Sequence, residues 1–323
     1  MSSLHESGAL KTFNRWVPYP VRLLLVVIVG LFLYGSLNSA LASFAKYRGS
    51  APDCPWKRTV LFGFDLMRFQ RWLATNKIRV SLKAADPTLD IQQFSTGGRD
   101  FWIKRQGDSK DGKELLTYLL SEHAWMAESN SSSHVMNGDI VIDCGAHVGV
   151  FTDMALRRGA SKVVSIEPDP VNLECLRRNF RQEIADGRVI VVPKGVWSRE
   201  QIITLYTSAA NSGSNTMISG RVTARDSGKI EVPVTTLDKI AEELELHRID
   251  FIKMDIEGAE REALRGAAGT LARDFPRLML DSYHLPDDMQ VLPVIIHKAN
   301  PRYAMTCGPC EEGSFTPHVT YYH

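Results

Sequence analysis

At 323 residues with a net charge of +1, the chain can bury one large core plus extensions and carries no global charge that would draw it to nucleic acid. A hydrophobic share of 44% is that of a globular protein, and five scattered cysteines (Cys54, Cys144, Cys175, Cys307, Cys310) argue against a disulfide scaffold. Residues 1–22 read as a polar leader. From Leu23 to Tyr34 the chain is apolar apart from Gly30, and small residues extend the run to Ala45, so 23–45 reads as a transmembrane or signal-anchor helix of roughly 20 residues. Lys11, Arg15 and Arg22 precede it and Lys46 and Arg48 follow, a weak bias that favours a cytoplasmic N-terminus with the domain on the far side. Two other readings stay open: a cleaved signal peptide, for which Ala40-Leu41-Ala42 has the small-x-small form, and a buried core helix.

Residues 46–127 read as a stalk and N-terminal extension. Phe62, Phe64, Leu66, Met67, Phe69, Trp72 and Leu73 suggest an apolar-faced helix, and Asp100–Lys104 a strand after the Gly97-Gly98 turn. The polar loop 128–137 holds Asn130-Ser131-Ser132, a glycosylation acceptor only in a lumenal domain.

Residues 128–323 form the main domain, and Asp139–Thr152 opens it as strand, tight turn and helix. Alternation then continues: a helix to about Arg158, a strand Val163–Ile166 ending at Glu167-Pro168, a helix Val171–Ile184 and a strand Val189–Val192. Ile202–Tyr206 and Ile230–Val234 read as added strands around a Ser/Asn/Gly loop, Ser208–Gly220. Thr236 caps the helix Leu237–Leu244, Phe251–Met254 is a strand ending at Asp255, Ala259–Arg273 a helix and Arg277–Leu280 a strand. The pattern predicts an α/β fold with a doubly wound, mostly parallel sheet. Right-handed crossovers set the strand ends Asp143, Glu167 and Asp255 along one ligand edge.

Glu167 stands 24 residues after Asp143 and 18 after Gly149, the spacing of an acid that takes the hydroxyls of an adenosine ribose. Three adenosine ligands compete. A dinucleotide expects G-x-G-x-x-G, but Gly145-Ala146-His147-Val148-Gly149 lacks the middle glycine and follows an acid. A phosphate loop needs Gly-Lys-Ser/Thr, which the chain lacks. S-adenosylmethionine carries a sulfonium and no phosphate, and acids beside the turn suit it.

The segments 141–149, Ile166-Glu167-Pro168-Asp169-Pro170 with Asn172, Thr236-Leu237-Asp238 and 249–260 together resemble the FkbM family of S-adenosylmethionine-dependent methyltransferases, a branch of the class I Rossmann-like, seven-stranded fold. The resemblance covers about Asp139–Leu280 and departs at His147, where the family carries Asn; a changed hydrogen bond to the cofactor tail is implied. It implies that Asp143, Gly145, Ala146, His147 and Gly149 shape the pocket for the methionine part, that Glu167-Pro168 hold the ribose, and that Gly195 and Val196 flank the adenine. Asp255 would sit where the methyl group faces its acceptor, and the acceptor class implied is a hydroxyl of a sugar, glycolipid or other small molecule.

A hydroxyl must lose its proton, and Asp255, Glu257 and His284 are the candidate bases. Asp255, Glu257 and His284 are conceivable together as metal ligands, but no close-spaced ligand pair demands a metal and none is assigned. Glu257 and Glu260 alternatively anchor the next helix, and Lys253 reads as a buried partner of an acid. Cys307-Gly308-Pro309-Cys310 reads as a hairpin-like turn rather than a redox motif. Asp255-Ile256-Glu257-Gly258 stands where an adenine or glutamine N-methyltransferase carries Asn/Asp-Pro-Pro-Tyr/Phe, and charge and anchor disfavour nucleic acid. A membrane-anchored binding protein with an inactive methyltransferase fold is the alternative function.

Overall fold

The computed structural model describes residues 18–49, 56–60, 77–106, 112–128, 134–208, 211–222, 226–308 and 317–323. The expected helix over Phe62–Leu73, the Asn130 acceptor and Cys310 lie outside them.

The apolar N-terminal run is one helix, α1 (Tyr19–Tyr47), of 29 residues, about 43 Å long at the α-helical rise. Its mean hydropathy reaches 2.1 and most of its large apolar side chains are exposed, so by length and composition it can cross a membrane. Its buried side is narrow. Gly35, Ser39, Ala42 and Lys46 are buried at near four-residue spacing, and the Lys46 ammonium lies 5.3 Å from the Trp56 ring centroid.

The domain is built on a seven-stranded sheet. Its parallel part is β4 (Ile140–Cys144), β5 (Lys162–Ile166), β6 (Val189–Val192), β10 (Phe251–Met254) and β11 (Arg277–Asp281). Two antiparallel strands, β12 (Met305–Cys307) and β13 (Val319–Tyr322), complete the order β12-β13-β11-β10-β4-β5-β6. The runs Val141-Ile142, Val163-Val164 and Phe251-Ile252 are buried on both faces, as parallel strands covered by helices must be. The chain winds outward from β4 through β5 to β6, then returns to β10 on β4's other side; the crevice at that reversal is where such sheets bind ligands.

Two smaller sheets flank this core. β1 (Ser81–Asp86), β2 (Ile91–Ser95) and β3 (Asp100–Lys104) form an antiparallel sheet, and β7 (Gly195–Val196), β8 (Gln201–Ser208) and β9 (Asp226–Thr235) form another in the order β7-β9-β8. Sequence reading found β3 but not β1, which is mostly exposed, or β2, whose buried positions include the polar Gln92 and break the alternation. The first small sheet packs Phe94, Phe101 and Ile103 against Leu176 and Phe180, and Arg99 pairs with Asp153 at 2.7 Å and with Glu183.

The helices that matter for the site are α2 (Lys113–Glu128), α3 (Val150–Arg157), α4 (Pro170–Asn179), α5 (Leu237–Glu243), α6 (Glu260–Arg265) and α7 (Asp288–Ala299). Asp169 caps α4 by accepting from the backbone N–H of Val171 and Asn172, and Thr236 caps α5 through the N–H of Lys239. Two expected helices are interrupted. The one from Val171 breaks at Phe180, and the one from Ala259 breaks near Gly266, where a Cβ would lie 2.1 Å from the Trp197 carbonyl oxygen at the end of β7.

Candidate active site

The glycine turn sits where β4 ends. Gly145 takes φ +74°, and a Cβ there would fall 2.0 Å from the Asp255 carbonyl oxygen, so only glycine lets the turn cross the end of β10. The N–H groups of Gly145 and Ala146 donate to the Ile166 carbonyl at 3.0 Å, and His147, at φ +50°, donates its N–H to the Glu167 carboxylate at 2.9 Å. The other Glu167 oxygen accepts from the Asp169 N–H at 2.9 Å. Glu167 therefore braces the turn as well as facing the crevice. Its burial pushes the carboxyl up to about 7 despite these donors.

Around this turn lies a cavity enclosing about 780 Å³ of empty space, open mouth included. Gly145, Ala146, His147, Glu167, Pro168, Gly195, Val196, Asp255 and Glu257 all line it. Asp143 does not. It is fully buried beneath the turn, accepts from the Thr152 hydroxyl at 2.7 Å and lies 3.6 Å from the Lys253 ammonium. Gly149 also stands outside the wall, at the start of α3, where a Cβ would meet the Phe180 ring at 2.1 Å.

The loop Ser208–Gly220, expected from the sequence to cover the acceptor together with 128–137, does supply part of the cavity wall, through residues that the sequence did not single out. Ser212 accepts or donates at 2.9 Å with His147 Nε2, donates its N–H to Gln106 and accepts from Asn172 at 3.2 Å. Asn215 donates to Asp169, also at 3.2 Å. These residues come from the polar loop between β8 and β9, whose composition carries no periodic signal. His147 is half-buried, and desolvation of its ring, with Lys253 nearby, pulls its imidazole down to about 4; it is neutral, and its Nδ1 has no hydrogen-bond partner.

The other end of the cavity is acidic. Lys253, 3% exposed, donates to the Gly145 carbonyl at 3.1 Å and lies 3.7 Å from Asp255, so it ties β10 to the turn. Burial disfavours its charge, but Asp255 and Asp143 outweigh burial and raise its pKa. Desolvation pushes Asp255 up; Lys253 and then His284 outweigh it and hold that carboxyl below its ordinary value. Glu257, at φ +54°, pairs with Arg221 at 2.6 Å, and burial raises its carboxyl to about 7. Arg221 also donates to the His284 carbonyl.

His284 stands behind these two acids, off the cavity wall. Its Nδ1 is 2.9 Å from Oε1 of the fully buried Glu260, and its Nε2 is 3.7 Å from both Asp255 Oδ1 and Glu257 Oε2. Burial pulls the imidazolium down, yet Glu260, then Glu257 and Asp255, carry it up to about 10.

Residues 143–303 match the family model described as the methyltransferase FkbM domain. This segment is an FkbM methyltransferase domain. The 31-O-demethyl-FK506 methyltransferase FkbM of Streptomyces tacrolimicus is 29% identical over 166 residues, covering 44% of this chain and 63% of its own length. Methyltransferase sdnD of Sordaria araneosa is 26% identical over 161 residues, 42% of this chain and 62% of its own. The chain thus spans less than two thirds of the curated relatives it matches. Among solved structures, methyltransferase FkbM of Methylobacillus flagellatus is 20% identical, covers 68% of this chain and 56% of its own, and superposes with a TM-score of 0.43.

β12 and β13 pair antiparallel, as the expected hairpin requires; residues 309–316 between them lie outside the described residues. Cys307 is disulfide-bonded to a cysteine outside the described residues, and Cys144 and Cys175 are free and buried.

Proposed function

We propose that the chain is an S-adenosylmethionine-dependent methyltransferase, held at a membrane by α1, that methylates a hydroxyl of a sugar, glycolipid or other small molecule. One observation carries the reading: Glu167 stands at one end of the cavity and Asp255 with Glu257 at the other, while both lining lysines face acids, Lys253 facing Asp143 and Asp255, and Lys194 facing Glu243 at 3.6 Å. Such a cavity repels a pyrophosphate and suits a cation-bearing nucleoside. The residues fit that cofactor. Glu167 has lone pairs beyond its two backbone donors, enough for two ribose hydroxyls, and His147 Nδ1 and Asn172 Oδ1 line the same cavity without hydrogen-bond partners.

When bound, S-adenosylmethionine supplies an electrophilic methyl group on its sulfonium. The chain's part is to orient and to take a proton. Glu167 fixes the ribose end, and the Gly145 turn sets the distance from there to Asp255. At neutral pH His284 is an imidazolium and cannot serve as the base in that state; Glu257, poised near 7, is the better-matched acceptor for the hydroxyl proton. The FkbM relative is named for methylation at a hydroxyl position, which supports the acceptor class.

The test is calorimetry of the detergent-solubilised full chain with S-adenosylmethionine. One saturable site, lost in Glu167→Ala, is expected. Heat-silent titrations with both proteins folded would sink the proposal.

A further inference from the structure

Three acceptor atoms converge at the acidic end of the cavity: Asp255 Oδ1, Glu257 Oε2 and His284 Nε2, all within 4.8 Å of one another. His284 is 6% exposed as a residue, and its side chain is fully covered. Its Nδ1 faces a carboxylate, Glu260, which can only accept while ionised, so one ring proton belongs on Nδ1; a cation that displaces the second proton meets the Nε2 lone pair on the side of the two acids. Nε2 has no hydrogen-bond partner. Its 3.7 Å separations are too long for hydrogen bonds and close to the roughly 3.1–3.6 Å between two ligands that each lie about 2.2 Å from one cation. Glu260 is itself fixed, because the same oxygen accepts the Ile256 N–H at 2.9 Å. That is the carboxylate–histidine support that orients metal-bound imidazoles.

We propose that Asp255, Glu257 and His284 bind a divalent cation, with Glu260 as the positioning residue for His284. One nitrogen and two carboxylates suit a cation such as Mn2+, which favours carboxylates and accepts an imidazole beside them, over one that demands oxygen alone. Three protein ligands leave coordination positions open towards the cavity. Lys253 on Asp255 and Arg221 on Glu257 restrain the two carboxylates from either side. Resting on the methyltransferase reading, those open positions take the acceptor's hydroxyl oxygen, so the acceptor class narrows to hydroxyl compounds able to coordinate a cation.

The experiment uses the detergent-solubilised full chain stripped of metals, with Mn2+ titrated and free ion counted by electron paramagnetic resonance, without cofactor. One Mn2+ per chain is expected, with echo modulation from an imidazole nitrogen. Binding should vanish in the Glu257→Gln/His284→Gln double variant and weaken about 10- to 100-fold in Glu260→Gln. Absence of Mn2+ binding, absence of the nitrogen signature, or full binding in the double variant would each overturn the site. The nitrogen signature is read on the wild-type chain and does not depend on any variant folding. Calorimetry with S-adenosylmethionine in chelator separates the two proposals: cofactor binding without Mn2+ binding refutes only the cation site, and the reverse refutes only the methyltransferase reading.

Discussion

Cofactor affinity should rise with pH in the wild-type chain and lose that slope in Glu167→Gln. Glu167 takes two backbone donors and is still pushed by burial from an ordinary 4.5 to about 7. Only its ionised form accepts from both ribose hydroxyls. At pH 6 about one carboxyl in ten is ionised, and at pH 8 nearly all are, so the apparent affinity should fall about tenfold between pH 8 and pH 6. Folding stability moves the other way. A carboxyl raised in the folded state contributes stability below its unfolded value, near 4.5, and loses it as pH rises through about 7. The full loss for the unliganded chain is roughly 3 kcal/mol. Calorimetry at pH 6, 7 and 8 measures the first effect, with the glutamine variant controlling for titration of the cofactor's own amino group. Equal slopes in the two proteins would refute the role given to Glu167.

The remaining predictions concern the turn, the buried lysine and the helix. Gly145→Ala meets both φ +74° and the Asp255 carbonyl oxygen, whereas Gly187→Ala meets φ +71° with nothing within 4 Å. Denaturant titration should therefore show a loss of roughly 3 kcal/mol or more for the first and about 1 kcal/mol for the second; equal losses would show that the close approach is unimportant. Lys253→Met leaves Asp143 fully buried without its ammonium and should cost roughly 3–5 kcal/mol, with a loss under about 1 kcal/mol counting against the pairing. The full chain should stay in the pellet after alkaline carbonate extraction of membranes, and release into the supernatant would remove α1 as an anchor.

How much of this was legible beforehand varied with the physics of each segment. The parallel core could be read because Val141-Ile142, Val163-Val164 and Phe251-Ile252 are buried on both faces and announce themselves as short apolar runs between turn residues. Glu167 and Asp255 could be placed because strand ends in a doubly wound sheet share one edge. The loop that covers the cavity could be placed but its contacts could not: Ser212, Asn215 and Arg221 reach the site through hydrogen bonds that leave no period in the sequence. α7, with Pro293 inside it, was also unread. The breaks at Phe180 and Gly266 are set by tertiary contacts, which local propensity does not encode.

Asp143 and Lys253 illustrate why residue type alone misassigns roles around this cavity. From the motif, Asp143 stands at the glycine turn and invites a ligand contact. In the fold, neighbouring β4 and β10 align Asp143 with Lys253 across the ladder, and the ammonium reaches past it to the Gly145 carbonyl. Asp143 thereby neutralises the lysine that restrains the turn and Asp255, and it touches the cavity only through them. The motif's acid works on geometry, and Glu167, held to the same turn by the His147 N–H, is the acid at this end that lines the cavity.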